Sequence, residues 1–338
     1  MGENRWETLL RAGTSAEPRP LFPGAVLGLD VAGRRQIVAT GATGCDAAGV
    51  PVTAGTLYDL ASLTKLVTAT VVAVLADRGA LALEDRVVRY LPTFAGERRD
   101  AITVRQLLTH TAGLPADTFS WRPSLEGIGT PRYSCVGYLL LGRLVEQVAG
   151  PLDAVVRQEV AQPLELADLG YRPLDRGVDR DRIAATEVRP GTPDSRGLVH
   201  DENAAAWGGV AGNAGLFGTA ADVLGFGRTM LELLAGRPSA LALSPVSARA
   251  LITDGLGWRT DDATFMGRLA GRGRAYGHTG FTGTSLVLDE DRDLVAVLLT
   301  NRVHPSRTRT ELNPYRREVA AELAAAYPLR QPGRSAGR

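Results

Sequence analysis

Lysine is almost absent from this chain. Of its 38 basic residues, 37 are arginine, and the single lysine stands at position 65. Cysteine is nearly as scarce: Cys45 and Cys135 supply neither a disulfide framework nor a zinc ligand set. The four histidines show no HExxH or other paired spacing, so no metal is expected. No segment reaches the roughly eighteen uninterrupted apolar residues of a membrane-spanning helix. The first residues, MGENRWETLLRAGTSAEPRP, lack the basic start and apolar run of a secretory signal, so a cytoplasmic protein is expected. A net charge of +1 with no block of one sign gives no electrostatic case for nucleic acid or a membrane surface. Small molecules are the expected partners. The Gly-rich stretch GGVAGNAG (208–215) has neither the Lys-Ser/Thr of a phosphate loop nor a dinucleotide-fold context, so it reads as a tight loop beside the site, and no cofactor is expected.

What is present is the composition of a globular protein, 44% apolar and 22% charged. Residues 25–40, AVLGLDVAGRRQIVAT, read as a hairpin around Gly-Arg-Arg, and SLVLDEDRDLVAVLLTN (285–301) repeats the pattern near the other end. Between them the period is helical, in 63–79, 136–150 and 221–236, each closed by a glycine (Gly79, Gly150, Gly236); 319–327 suggests a last helix. Strands at both ends with helices between predict an α+β fold: one antiparallel sheet from about 20–60 and 255–302, and a helical subdomain over about 62–250. Together they are expected to form a single domain over 1–330, followed by a disordered tail at 331–338. The cleft between sheet and helices is the natural place for a site.

The abundance of Ala, Arg and Gly reads as a compositional bias that replaces Lys by Arg wherever charge alone matters, which makes the surviving lysine informative. It lies in ASLTK (61–65), three residues after Ser62 and on the same face of a helix start. A serine hydroxyl is a poor nucleophile until a base takes its proton; an amine can become neutral and serve, a guanidinium cannot. Lys65 is therefore expected to lose its proton. As Ser62 is by itself an ordinary helix cap, further elements matter. RYSCVGYLL (132–140) offers Tyr133 at a helix opening, a phenol able to relay a proton. YGHTGFTGTSLVLD (276–289) places His278-Thr279-Gly280 before a strand, with small residues that let a substrate backbone approach and amides for an oxyanion hole.

SLTK, Tyr133-Ser134-Cys135 and His278-Thr279-Gly280, in this order, resemble the SxxK, YxN and KTG or HTG motifs of the penicillin-recognising serine hydrolases. The resemblance is strongest to the class C β-lactamase branch, which also contains carboxylesterases, D-aminopeptidases and low-molecular-weight penicillin-binding proteins. LLTHTAGLP (107–115), VHDENAAAWGGVAGNAGLFGTAADV (199–223), GLGW (255–258) and LLTNRVHP (298–305) look like framework segments of that branch. The resemblance implies Ser62 as acylated nucleophile, Lys65 as its proton partner, Tyr133 as general base and acid, and His278 in place of the more frequent lysine. It further implies the backbone N–H groups of Ser62 and Phe281 as the oxyanion hole, and Cys135, Thr279, Gly280, Asn301 and His304 on the substrate side. His110 and His200 are expected to fix loops. Cys135 departs from the pattern, since a thiol cannot make both contacts of the amide normally there; it is not itself expected to be the nucleophile. A serine hydrolase or acyltransferase is expected, acting first on small esters. A D-amino-acid peptidase or amidase, a weak β-lactamase and a non-catalytic ligand-binding protein are the alternatives.

Overall fold

The computed structural model describes residues 4–45, 49–117, 125–192, 194–308 and 311–329. The expected tail at 331–338 lies outside them. The chain enters through helix α1 (Arg5–Thr14) and turns into the hairpin β1 (Gly24–Val31) and β2 (Arg34–Gly41). Three very short strands follow at intervals, β3 (Tyr58–Asp59), β4 (Gly170–Tyr171) and β5 (Leu216–Gly218), which pair as a small sheet in the order β3-β5-β4. The last strands are β6 (Arg259–Thr260), β7 (Ala275–Thr279), β8 (Ser285–Asp289) and β9 (Leu294–Thr300).

The main sheet is antiparallel in the order β2-β1-β9-β8-β7-β6, so its two central strands come from opposite ends of the chain. Both faces are covered, which is why β9 reads LVAVLLT without polar alternation. One face packs against α4 (Ala220–Leu234), where glycines permit close approach: a Cβ on Gly28 would lie 2.9 Å from Leu224 and one on Gly227 2.7 Å from Val295. The other face carries α1 and α5 (Asn313–Ala326), joined in a second core with Phe22, Leu298 and Tyr315.

The helical part is built around α2 (Thr64–Asp77), which is apolar nearly all round and buried, and α3 (Cys135–Ala149). Gly79, Gly150 and Gly236 do follow their helices in the left-handed region, at φ of 72°, 98° and 77°. Helix α5 begins at Asn313, earlier than its periodicity suggested. Among the described residues no helix is long and apolar enough to cross a membrane.

Candidate active site

Ser62 lies in a 3₁₀ turn, Ala61–Leu63, that links β3 to the start of α2. The preceding Ala61 has φ of 47°, a left-handed conformation costing a residue with a Cβ about 1–2 kcal/mol. Its surroundings fix it there. The Ala61 amide donates to Asp59 Oδ1 at 2.8 Å, while the His200 amide donates to Asp59 Oδ2 at 2.7 Å. From the strand side Thr282 and Thr284 donate their hydroxyls to the carbonyls of Asp59 and Leu60, at 2.7 and 3.0 Å. A sharp, over-determined turn thus presents the serine to the cleft.

Lys65, one turn on, is completely buried. Its Nζ meets Ser62 Oγ at 2.9 Å, the Asn213 carbonyl at 3.0 Å and Cys135 Sγ at 3.4 Å. Three acceptors match the three protons of an ammonium. Burial pulls the amine's pKa down, but Tyr133, Cys135 and the more distant Asp201 outweigh it, and the net direction is upward. The sequence led to the expectation of a neutral amine; the three acceptors around Nζ, together with this direction, favour an ammonium instead.

The Tyr133 hydroxyl lies 2.9 Å from Ser62 Oγ on its other side. Tyr133 precedes rather than opens its helix, because Ser134 is the N-cap of α3, accepting from the Gly137 amide at 3.2 Å and donating to the Pro115 carbonyl at 2.5 Å. His110 Nδ1 accepts from the Ser134 amide at 3.1 Å, and its ring rests 4.7 Å from that of Tyr133. Burial, then Lys65 and Arg259, push the His110 pKa down to about 3, so it fixes this loop as a neutral ring. His200 does likewise, with Nε2 3.2 Å from Glu187.

His278 is buried on β7 beside Tyr133, ring centroids 5.9 Å apart. Burial first, then the charges of Lys65 and Arg259, hold it well below the usual histidine range. Its Nδ1 lies 2.8 Å from the Thr279 carbonyl, which assigns the ring proton to that nitrogen. At Gly280 a Cβ would stand 2.0 Å from Thr284 Oγ1 and 2.7 Å from the Leu60 carbonyl; only glycine lets β7 approach the Ser62 turn so closely. Ser62, Tyr133, Cys135, His278, Thr279, Gly280 and Phe281 line one cleft of about 480 Å³. A larger cavity of about 650 Å³, between Asp153 and Arg176, contains none of them, so size alone does not locate the site.

Two expected substrate residues lie elsewhere. Asn301 is buried, accepting from the Gly24 amide at 2.9 Å and donating to the Thr43 carbonyl at 3.0 Å; it ties β1 and β9 to the next loop. His304 is also buried, with Nδ1 2.7 Å from the Thr186 carbonyl. Neither lines the cleft. Conversely, the cleft holds Arg259, whose guanidinium is 5.5 Å from the centroid of the Tyr133 ring, and rests on Asp59 and the Asn213 carbonyl, none of which the motifs had named. Among the described residues no group of His, Cys, Asp and Glu could hold a metal ion.

Comparison with known proteins places this geometry among relatives. The family model described as "Beta-lactamase" matches residues 17–321. A putative D-alanyl-D-alanine carboxypeptidase of Escherichia coli K12 is 34% identical, the match covering 82% of this chain and 76% of the relative. An N-acetylmuramyl-L-alanine amidase of Bacillus subtilis 168 is 32% identical over 77% of this chain and 71% of its own. Among solved structures, a class C β-lactamase from Rhodobacter sphaeroides superposes with a TM-score of 0.68 at 22% identity, covering 95% of this chain and 98% of that one.

Proposed function

The chain belongs to the β-lactamase family of serine hydrolases, and from that premise we propose that it cleaves amide bonds of peptides ending in D-amino acids, through an acyl-enzyme on Ser62. The observation that carries the reading is the position of Ser62 Oγ, 2.9 Å from both Lys65 Nζ and the Tyr133 hydroxyl. In acylation Ser62 Oγ adds to the substrate carbonyl while its proton passes to the Tyr133 oxygen and the phenol's own proton goes to the leaving nitrogen. The C–N bond breaks, an amine departs and the acyl group stays on Ser62. Water returns along the same path: its proton goes to Tyr133, its oxygen to the acyl carbon, and Ser62 regains a proton. The Lys65 ammonium lowers the cost of negative charge on Oγ in both steps, and the amides of Ser62 and Phe281 are proposed to hold the oxyanion.

The names of the carboxypeptidase and amidase relatives support amide substrates. A second reading, small esters, is supported by Cys135, which puts a thiol against Lys65 where the family has an amide. One experiment separates the readings. The protein is treated with a fluorophosphonate and a fluorescent penicillin, with Ser62→Ala as control, then assayed on N-acyl-D-alanyl-D-alanine, p-nitrophenyl esters and nitrocefin. Labelling of the wild type alone, with kcat/KM highest on the dipeptide, is expected. Highest kcat/KM on the esters would favour the second reading, and absence of labelling by both probes would leave a ligand-binding protein without acyl chemistry.

A further inference from the structure

The cavity of about 650 Å³ outside the cleft has irregular walls. The short helix Leu152–Val156 runs into a widened turn, where the Gln162 amide donates to the Arg157 carbonyl and the Leu166 amide to the Ala161 carbonyl. Both bonds are 2.8 Å and reach five residues back, a geometry that recurs at functional sites. Glu165 and Arg172, also on the wall, stand in the left-handed region at φ of 55° and 45°, which is costly for residues with a Cβ.

Charge decides what suits this space. Asp153 and Asp175 are both engaged by Arg172, at 2.6 and 3.8 Å. The Arg157 side chain has no partner among the described residues, and Arg176 has only the Asp168 carbonyl, at 2.9 Å, while the Asp168 carboxylate is held by Arg182. Arg176 is nevertheless fixed against β4, where a Cβ on Gly170 would come within 3.1 Å of its guanidinium carbon. Two cations thus face one unpaired carboxylate, Glu165, which leaves room for a single further negative charge. Val156, Leu166 and Tyr171 make the wall beside them apolar.

That wall is tied to the catalytic lysine. The Tyr171 hydroxyl donates to the Ala211 carbonyl at 3.0 Å, and its ring closes on Gly215, where a Cβ would lie 3.1 Å away. The Arg172 side chain lies as near to Gly209, 3.3 Å from a Cβ there. The loop so bracketed carries Asn213, whose carbonyl accepts from Lys65 at 3.0 Å. Tyr171 also pairs with Leu216 on β5, and the Leu216 carbonyl accepts from the Leu60 amide at 2.9 Å, just ahead of the Ser62 turn.

We propose that this cavity is an effector site for a monocarboxylate with an apolar body, received by Arg157 and Arg176, and that its occupation speeds acylation of Ser62. Two guanidinium forks without a carboxylate partner suit such an anion. The occupant would favour the arrangement in which Tyr171 and Arg172 hold the 209–215 loop on Lys65, and its effect is as large as that preference. Binding here goes beyond the amide-cleavage reading; only the effect on acylation rests on it.

The test titrates 3-phenylpropionate by calorimetry, with 3-phenylpropionamide as neutral counterpart and inorganic phosphate as an anion without an apolar body. The proteins are wild type, Arg157→Gln, Arg176→Gln, and wild type with Ser62 blocked by a fluorophosphonate. Binding of the acid alone is expected, unchanged by the block and weakened at least about tenfold in either variant. Saturating acid should raise the rate of fluorophosphonate labelling about fivefold in untreated wild type and not in the variants, whose basal rates should match wild type. An acid that merely entered the cleft would lose its binding on the block and slow the labelling. Either result would overturn the assignment, as would an unchanged labelling rate, equal binding of the amide or of phosphate, or undiminished binding in both variants. The blocked wild type keeps the test decisive should a variant fail to fold. Failure to label wild type at all would remove the Ser62 reading, while binding of the acid would still be read on the untreated protein.

Discussion

Asp59 joins the chemistry of a single residue to the pH behaviour of the enzyme. Burial raises its pKa from 3.8 to about 6, against the pull of the His200 and Ala61 amides that donate to it. As a carboxylate it offers an acceptor to each amide; protonated, it turns one oxygen into a donor facing an N–H, and the Ser62 turn loosens. We predict an acid limb in kcat/KM at about pH 6. His278 and His110 do not supply it, since burial and nearby cations hold both far lower. Stability has the opposite sign. Because the folded state binds this proton more tightly than the unfolded chain, Asp59 contributes stability that is full below 3.8 and is lost as pH rises through about 6, on the order of 3 kcal/mol. Measuring activity and Tm together from pH 4.5 to 8 checks this: activity should fall on acidification before the protein unfolds, and a flat profile down to pH 4.5 would count against it. Ser62, Lys65 and Tyr133 were legible in the sequence because a solitary lysine at an i, i+3 spacing stands out. Arg259 was not, being one of 37 arginines, and Asp59 shows its role only once buried. Asn301 and His304 were misplaced because a segment's likeness does not say which way its side chains turn, and here both turn toward backbone.

Elements hold these residues by close backbone contact. The loop carrying Asn213 is pressed on α3 at Gly212, where a Cβ would lie 2.2 Å from the Tyr138 carbonyl and 2.8 Å from the Gly142 amide. Gly212's own carbonyl accepts from Thr68 on α2 at 2.8 Å. Gly212→Ala is therefore predicted to cost about 1–3 kcal/mol and to lower the acylation rate as well, by drawing the Asn213 carbonyl away from Lys65. Gly236→Ala is the control: nothing lies within 4 Å of a Cβ there, so the positive φ of 77° should cost stability alone. Thermal melts and labelling rates on both variants separate the two effects; equal labelling in Gly212→Ala would show that the loop does not position the lysine. The terminal hairpins and long helices were readable from their periods of two and 3.6. Helix α1 carries a buried face of Trp6, Leu9, Leu10 and Gly13, too few apolar positions to set a clear helical period in a stretch this polar. The two- and three-residue strands of the small sheet carry no period at all, and only tertiary pairing defines them.

At the scale of the molecule, the site exists only in the folded chain. Segments around positions 62, 133, 213 and 278 meet through the bonds of Lys65 to Ser62 and Asn213, of Tyr133 to Ser62, and of Thr282 and Thr284 to the carbonyls of Asp59 and Leu60. The central claim is that Ser62 becomes acylated, and trypsin gives direct access to it. Cleavage after Arg35 and after the lone Lys65 releases peptide 36–65, in which Ser62 is the only serine. After reaction of the native protein with a fluorophosphonate, mass spectrometry is predicted to find one adduct, on Ser62 in that peptide, and none when the protein is denatured first. No adduct, or an adduct on peptide 133–143 with Ser134 and Cys135 instead, would contradict the account.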